Sequence, residues 1–217
     1  PAAAPRLLGV KSFNDYPLEK AIEYIDWNPF FQTWQLRGKY PNRNYPKIFQ
    51  DETVGSEAKK LFDEAQVMLH HLVETKKLHA RAVVGIFPAN AVNSDDIEVY
   101  AAEDDSNRGS PVATFHTLRQ QSEKEDDSNA PYLAMADFVA PKETGVKDYI
   151  GMFANGIFGA NELIVEYKDQ LDDFKVIMVE ALADRLAEAV AEALHEDIRL
   201  ELWGYMQGEE KLSKEDL

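Results

Sequence analysis

Ala82-Val83-Val84-Gly85-Ile86-Phe87 is a short apolar run rich in β-branched residues, closed by Pro88 and followed by the turn-forming Asn93-Ser94-Asp95-Asp96. It is too short for a helix and bounded by breakers, which predicts a buried strand. Upstream, over residues 56–78, Ala58, Leu61, Phe62, Ala65, Met68, Leu69, Leu72 and Val73 recur at the three-and-four spacing of one helix face. That spacing predicts an amphipathic helix, with Ser56 as its N-cap. Downstream, residues 97–101 and 112–118 flank the polar stretch Glu103-Asp104-Asp105-Ser106-Asn107-Arg108-Gly109, which reads as two antiparallel strands joined by a solvated turn. Residues 133–139 supply a fourth candidate strand, and residues 149–154 either begin a helix or continue the core.

The last long element covers residues 162–202 and is expected to be broken or bent, with Phe174, Ile177, Met178, Leu182, Leu186, Ala189, Val190, Ala193 and Leu194 along one broad apolar side. Pro17, Pro29, Pro41 and Pro46 divide the first 50 residues into short pieces, with one helix over residues 18–25. Those 50 residues are expected to form an N-terminal arm packing on the core of a single domain that occupies residues 1–217. Strands grouped between helices, rather than alternating with them, imply an α+β fold: a mainly antiparallel twisted sheet flanked by long helices. The tetrapeptide Asp-Asp-Ser-Asn occurs at 104 and again at 126, marking two polar loops rather than a repeat.

Of the 217 residues, 45% are hydrophobic, enough to bury a sizeable core. No stretch approaches the roughly 18 consecutive apolar residues of a membrane span, and no apolar signal region follows the N-terminal Pro1-Ala2-Ala3-Ala4-Pro5-Arg6. A cytoplasmic protein is expected. The absence of cysteine removes disulfides and thiolate metal sites. A formal charge of -16 repels phosphate backbones and argues against nucleic acid, leaving cationic ligands or basic protein surfaces as better-matched partners.

The common catalytic patterns are missing. His70 and His71 are adjacent and project from a helix in different directions, and His195 has no partner four residues on, so no H-E-x-x-H zinc pair exists and no metal is expected. Gly151, Gly156 and Gly159 do not form G-x-G-x-x-G, no Gly-Lys-Ser/Thr follows a strand, and there is no G-x-S-x-G. On residues alone, the chain is an acidic α+β domain of unassigned chemistry.

Colinear blocks add to this. Tyr24-Ile25-Asp26-Trp27-Asn28-Pro29-Phe30-Phe31, Gly38-Lys39-Tyr40-Pro41, Asp96-Ile97-Glu98-Val99-Tyr100, Leu118-Arg119-Gln120-Gln121, Asp148-Tyr149-Ile150-Gly151 and Trp203-Gly204-Tyr205 together resemble the C-terminal reactivation domain of cobalamin-dependent methionine synthases. The resemblance implies S-adenosylmethionine as cofactor and, as the chain's part in a methyltransferase, the reductive methylation of cob(II)alamin. It implies as partners the cobalamin-binding module of the same parent protein and a flavodoxin-like electron donor. It also implies two cofactor-binding residues. Asp26 aligns with an acidic position that binds the cofactor, where a carboxylate can hold an ammonium through charge-assisted hydrogen bonds; the alternative is that Asp26 caps a short helix before Pro29. Glu188 is a second aligned acid, in a row with Asp184 and Glu192 that otherwise reads as the wet face of a helix, with Arg185 near enough to offset it. Trp27, Phe30, Phe31 and Trp34 read as core cover.

The family's cofactor signature, Arg-x-x-x-Gly-Tyr-Pro-Ala-Cys-Pro, does not occur in these 217 residues; Arg199 and Gly204-Tyr205 are separated by four residues instead of three. A domain incomplete at its C-terminus, binding S-adenosylmethionine weakly and inactive in isolation, is therefore expected. Two other readings stand beside this one: a non-catalytic domain that docks on the cobalamin module, and an unrelated free-standing methyltransferase, against which the missing glycine loop weighs.

Overall fold

The structure, a computed structural model, describes residues 3–124 and 130–206. The second Asp-Asp-Ser-Asn, at 126–129, lies outside the described residues. Five strands, β1 (Gly9–Tyr16), β2 (His79–Val92), β3 (Asp96–Val99), β4 (Ala113–His116) and β5 (Asp148–Phe158), form one sheet in the order β1-β2-β3-β4, with β5 also pairing to β2. The helices are α1 (Leu18–Ala21), α2 (Asn28–Thr33), α3 (Gly55–Glu74), α4 (Ala160–Asp169) and α5 (Asp173–Asp197). The α+β class is as the sequence predicts. Contacts divide the described residues into two compact units, one of residues 3–11, Val83–Phe153 and 197–206, the other of Ser12–Ala82 and Ala154–Glu196.

In the first unit, β3 pairs antiparallel with β2 and with β4, placing Ile97 opposite Ala91 and Phe115. Pro88 does not close β2, which runs on to Val92. The β3 ladder starts at Ala89, and at Pro88 itself the chain needs only an acceptor, because its carbonyl takes the Tyr100 N–H at 2.9 Å; the missing donor of proline costs nothing there. Ala89, Ala91, Ile97, Val99, Ala136 and Val139 form a small core, joined by Phe87 and Ile150.

The strand expected over residues 133–139 is absent. Met135–Phe138 is a 3-10 turn, because the Asp137 carboxylate accepts the Ala134 N–H at 2.8 Å and folds the backbone back on itself. Arg119 then grips the same carboxylate with two bonds of 2.7 and 2.9 Å and reaches Asp95 at 2.9 Å. The hydrogen bonds of Arg119 and Ala134 hold the Asp137 carboxyl well below its ordinary value, at about 2.

In the second unit, α3 buries Ala58, Leu61, Ala65, Leu69, Leu72 and Val73; each large side chain contributes about 2 kcal/mol of transfer free energy. Its N-cap is not Ser56. The helix begins at Gly55 without a side-chain cap, and Asp51 organises the entry: one carboxylate oxygen accepts the Thr53 and Val54 N–H groups and the Thr53 hydroxyl, the other the Lys39 N–H at 2.7 Å. These bonds, the Lys39 N–H first, hold the Asp51 carboxyl far below the usual carboxylate range.

Trp27, Phe30 and Phe31 are buried and pack edge-to-face, with Trp27 4.8 Å from Phe62 and 5.2 Å from Phe30 between ring centres. They are core, as the sequence reading had them. The helix expected over 18–25 is α1 followed by a 3-10 turn, Ile22–Tyr24. The late helix is broken at Leu171, which has φ of 58° and is 90% exposed. Beyond that break the Asp172 carboxylate accepts the Lys175 N–H at 3.0 Å and starts α5. Along α5, Val179, Leu182, Leu186, Ala189, Val190 and Ala193 are buried at helical spacing.

Candidate functional site

Asp26 sits in the turn that leads into α2, and it is exposed. Its Oδ1 accepts the Asn28 N–H and the Asn28 side-chain amide, both at 2.9 Å, so the carboxylate shapes the helix entry just before Pro29. Among the described residues, its Oδ2 accepts no hydrogen bond. Asn28 is fixed at its other end as well, its Oδ1 accepting the Tyr45 N–H at 2.7 Å. The result is a carboxylate whose direction is set from one side while the other oxygen faces outward.

Asn28 also lines a cavity of about 200 Å³ together with Phe31, Gln32, Arg37, Arg43 and Asn44. Amide and guanidinium groups there can meet carboxylate or hydroxyl oxygens, and the outward oxygen of Asp26 can meet an ammonium. The volume falls below the roughly 300 Å³ at which pockets begin to enclose a whole cofactor-sized ligand. It can take part of such a ligand only.

Glu188 lies on α5 and is exposed, but it is already engaged. Arg185, buried to 7% side-chain exposure, donates to both of its carboxylate oxygens at 2.6 and 2.8 Å and to Asp184 at 2.6 Å. Burial pulls the Arg185 guanidinium down, and the bonds to Asp184 and Glu188 more than offset this, leaving it above its ordinary value. Arg185 thus offsets the acidic row as its spacing suggested. Asp26 and Glu188 belong to the same unit but share no hydrogen-bond partner among the described residues.

The loop read as a solvated turn is one only in part: residues 105–107 turn, and Ser106, Asn107 and Gly109 are exposed, but Arg108 folds back into the interior. Arg108 is 9% exposed and donates to the Ala89 carbonyl at 3.2 Å, the Asn90 Oδ1 at 2.7 Å and the Asp105 carboxylate at 2.8 Å. The Tyr149 ring lies 5.1 Å from its guanidinium carbon, and the Tyr149 hydroxyl donates to Asp105. Asn90 in turn donates to the Ala140 and Val146 carbonyls at 2.9 and 2.8 Å. Each polar group of this buried knot has a partner, as the low dielectric demands. A signal was present: a lone Asn between Ala89 and Ala91 in a buried strand requires partners, and Arg108 three residues after Asp105 is within reach to be one of them.

Two further polar atoms, Trp34 Nε1 and Arg199 Nη1, are buried without a partner among the described residues. Arg199 uses its Nε on the Tyr205 hydroxyl at 3.2 Å, so the stretch that imitates the missing signature is tied up with its own neighbour.

Comparisons with known proteins agree with the resemblance. The family model described as vitamin B12 dependent methionine synthase, activation domain, matches residues 17–217. Among solved structures, "Crystal Structure of the MetH Reactivation Domain bound to AdoHcy" superposes with a TM-score of 0.86 at 46% sequence identity, over 98% of this chain. The chain spans 62% of the length of that structure.

Proposed function

The chain belongs to the vitamin B12 dependent methionine synthase activation domain family, and on that premise we propose that it holds S-adenosylmethionine for reductive methylation of cob(II)alamin in the cytoplasm. The observation that carries the proposal is likeness to a reactivation domain bound to AdoHcy over nearly the whole of this chain, since AdoHcy is what S-adenosylmethionine becomes on giving up its methyl group. Cobalamin, carried by another module of the same parent protein, supplies the methyl-accepting metal; the present chain supplies the donor's seat.

Within that seat, Asp26 takes the ligand's α-ammonium on its outward oxygen, while the two Asn28 bonds to the other oxygen keep the carboxylate from turning away. Glu188, clamped by Arg185, presents fixed negative charge toward the cationic ligand and spends little of its hydrogen-bonding capacity on it. Replacing Asp26 with Asn is expected to weaken S-adenosylmethionine binding by about tenfold or more, the worth of a charge-assisted bond; Glu188→Gln costs less.

The 217 residues alone are expected to bind weakly, because the cavity lined by Asn28 is too small and the Arg-bearing signature is not in the sequence. Calorimetric titration of this chain beside one extended through that signature tests both points. Micromolar affinity in the 217-residue protein, or equal affinity in the Asp26→Asn form of the extended one, overturns the assignment.

The electron donor we propose is flavodoxin-like and acidic. Arg37, Lys39, Arg43 and Lys47 are exposed, with no acid between them, on a chain of net charge -16, so an anionic partner is drawn to this segment and repelled elsewhere. Reversing charge at Arg43 and Lys47 is expected to raise the donor concentration needed for half-maximal reactivation; an unchanged requirement rules the segment out as the docking point.

A further inference from the structure

The largest cavity among those described, about 630 Å³, lies in the second unit beside the start of α4, and Lys76, Lys77, His79, Arg81, Phe158 and Glu166 are among its walls. Four basic side chains from six consecutive residues converge on it in a protein of net charge -16. The chain geometry produces this convergence. Lys76 takes a left-handed conformation, φ 54°, after the end of α3, and β2 then begins, so that His79 and Arg81, two apart on a strand, share one face.

Phe158 gives that face its floor. The His79 ring stacks on it at 5.6 Å with 20° between planes, and the Arg81 guanidinium lies 4.9 Å from its centre. Arg81 has neither an ion-pair nor a hydrogen-bond partner among the described residues: it is held by the aromatic ring alone, which leaves its N–H fork unspent. The other charges are arranged differently. Asp15 takes one Lys76 contact at 2.9 Å, and its hydrogen bond raises the Lys76 ammonium above its ordinary value; Glu166 stands 3.7 Å from Lys77. Glu162 and Glu166 give the α4 end of the cavity negative charge, so an anion is favoured at the Arg81 and His79 end. Backbone N–H groups of the first turn of α4 add donors to the wall, in a secondary role.

We propose that this cavity binds a phosphate-bearing small molecule, its phosphate on Arg81 with His79 and Lys76 beside it and its apolar or planar part over Phe158. A planar guanidinium fork fits phosphate bidentately, and the volume lies within the range of pockets that enclose ligands of nucleotide size. The site is separate from Asp26 and Glu188 and does not depend on the proposed cofactor.

Titration with sodium pyrophosphate at constant ionic strength, followed by amide chemical shifts, tests it. Saturable shifts are expected at residues 76–81 and 158–162. Arg81→Gln is expected to weaken pyrophosphate about tenfold with an unchanged melting temperature, because the side chain is exposed, and Asp26→Asn is expected to leave pyrophosphate binding unchanged. Lys76→Gln serves as the second variant should Arg81→Gln fold poorly, with a several-fold loss expected. Shifts that do not saturate, that chloride reproduces, or that survive both substitutions overturn the site; loss of pyrophosphate binding in Arg43→Gln, a residue of the cavity beside Asn28, would assign the anion there and overturn it equally.

Discussion

Gly159→Ala is expected to lower stability by about 3 kcal/mol or more, a fall in melting temperature of about 10 °C for a chain of this size. Two physical terms add. Gly159 has φ of 93°, a conformation that costs an L-residue about 1–2 kcal/mol. A methyl group there would also stand 1.9 Å from the Lys77 carbonyl oxygen, a backbone atom that cannot step aside without moving the end of α3 and the start of β2. Gly145 separates the terms, since its φ is 69° but nothing lies within 4 Å of an added Cβ; Gly145→Ala is expected to lose only about 1 kcal/mol. Urea melts of the two variants decide the point, and equal losses would show that contact with Lys77 contributes nothing. Because Gly159 also lines the cavity below α4, a milder substitution effect would imply walls soft enough to reshape around a ligand.

The parts of the fold that the sequence revealed are those that local physics controls. The apolar period of 3.6 in α3 and α5 and the β-branched run in β2 locate elements because burial needs those spacings whatever surrounds them. The reading failed where a distant residue decides the local conformation. Residues 133–139 carry strand-like composition, yet Asp137 and its long-range partner Arg119 bend them into a turn. Ser56 looks like a cap, yet α3 has no side-chain cap, and Asp51 sets the turn before it through Thr53 and Val54.

Sites behave the same way. Residue type cannot separate an Asp that shapes a helix entry from one that binds a ligand, and Asp26 is built to do the first with one oxygen while leaving the second free. A ligand role for Asp26 was suggested by resemblance to a family and not by its residue type, and likewise for Glu188, whose bidentate partner Arg185 is visible in the sequence as a neighbour three residues away but not as a buried anchor. The cavity of Lys76 to Arg81 was illegible for another reason: its aromatic floor, Phe158, is about eighty residues distant, and only sheet pairing of β5 with β2 unites them.

Arg108→Met is expected to cost about 3–5 kcal/mol at neutral pH, the range for breaking a buried ion pair from one side. The methionine fills much of the space over Tyr149, so the loss reports polarity rather than a void: the Asn90 Oδ1 loses its donor, and the Asp105 carboxylate loses its charged partner and keeps only the Tyr149 hydroxyl. The pH dependence identifies the cause. In the wild type, burial pushes the Asp105 carboxyl up, but the hydrogen bond and charge of Arg108 outweigh it and leave the group below its ordinary value. A carboxylate depressed in the folded state contributes stability that is fully present above the unfolded pKa of about 4 and is lost as pH falls through the folded value. With the guanidinium gone, only burial and weaker neighbours remain, so the Asp105 carboxyl rises in the variant and protonation relieves it. The gap between wild type and variant should therefore narrow as pH falls from 7 toward about 4. Urea midpoints across that window measure it. A loss below about 1 kcal/mol, or a gap that does not narrow with acid, would mean that the knot of Arg108, Asp105 and Asn90 is incidental to the first unit rather than what holds its long loop against β2.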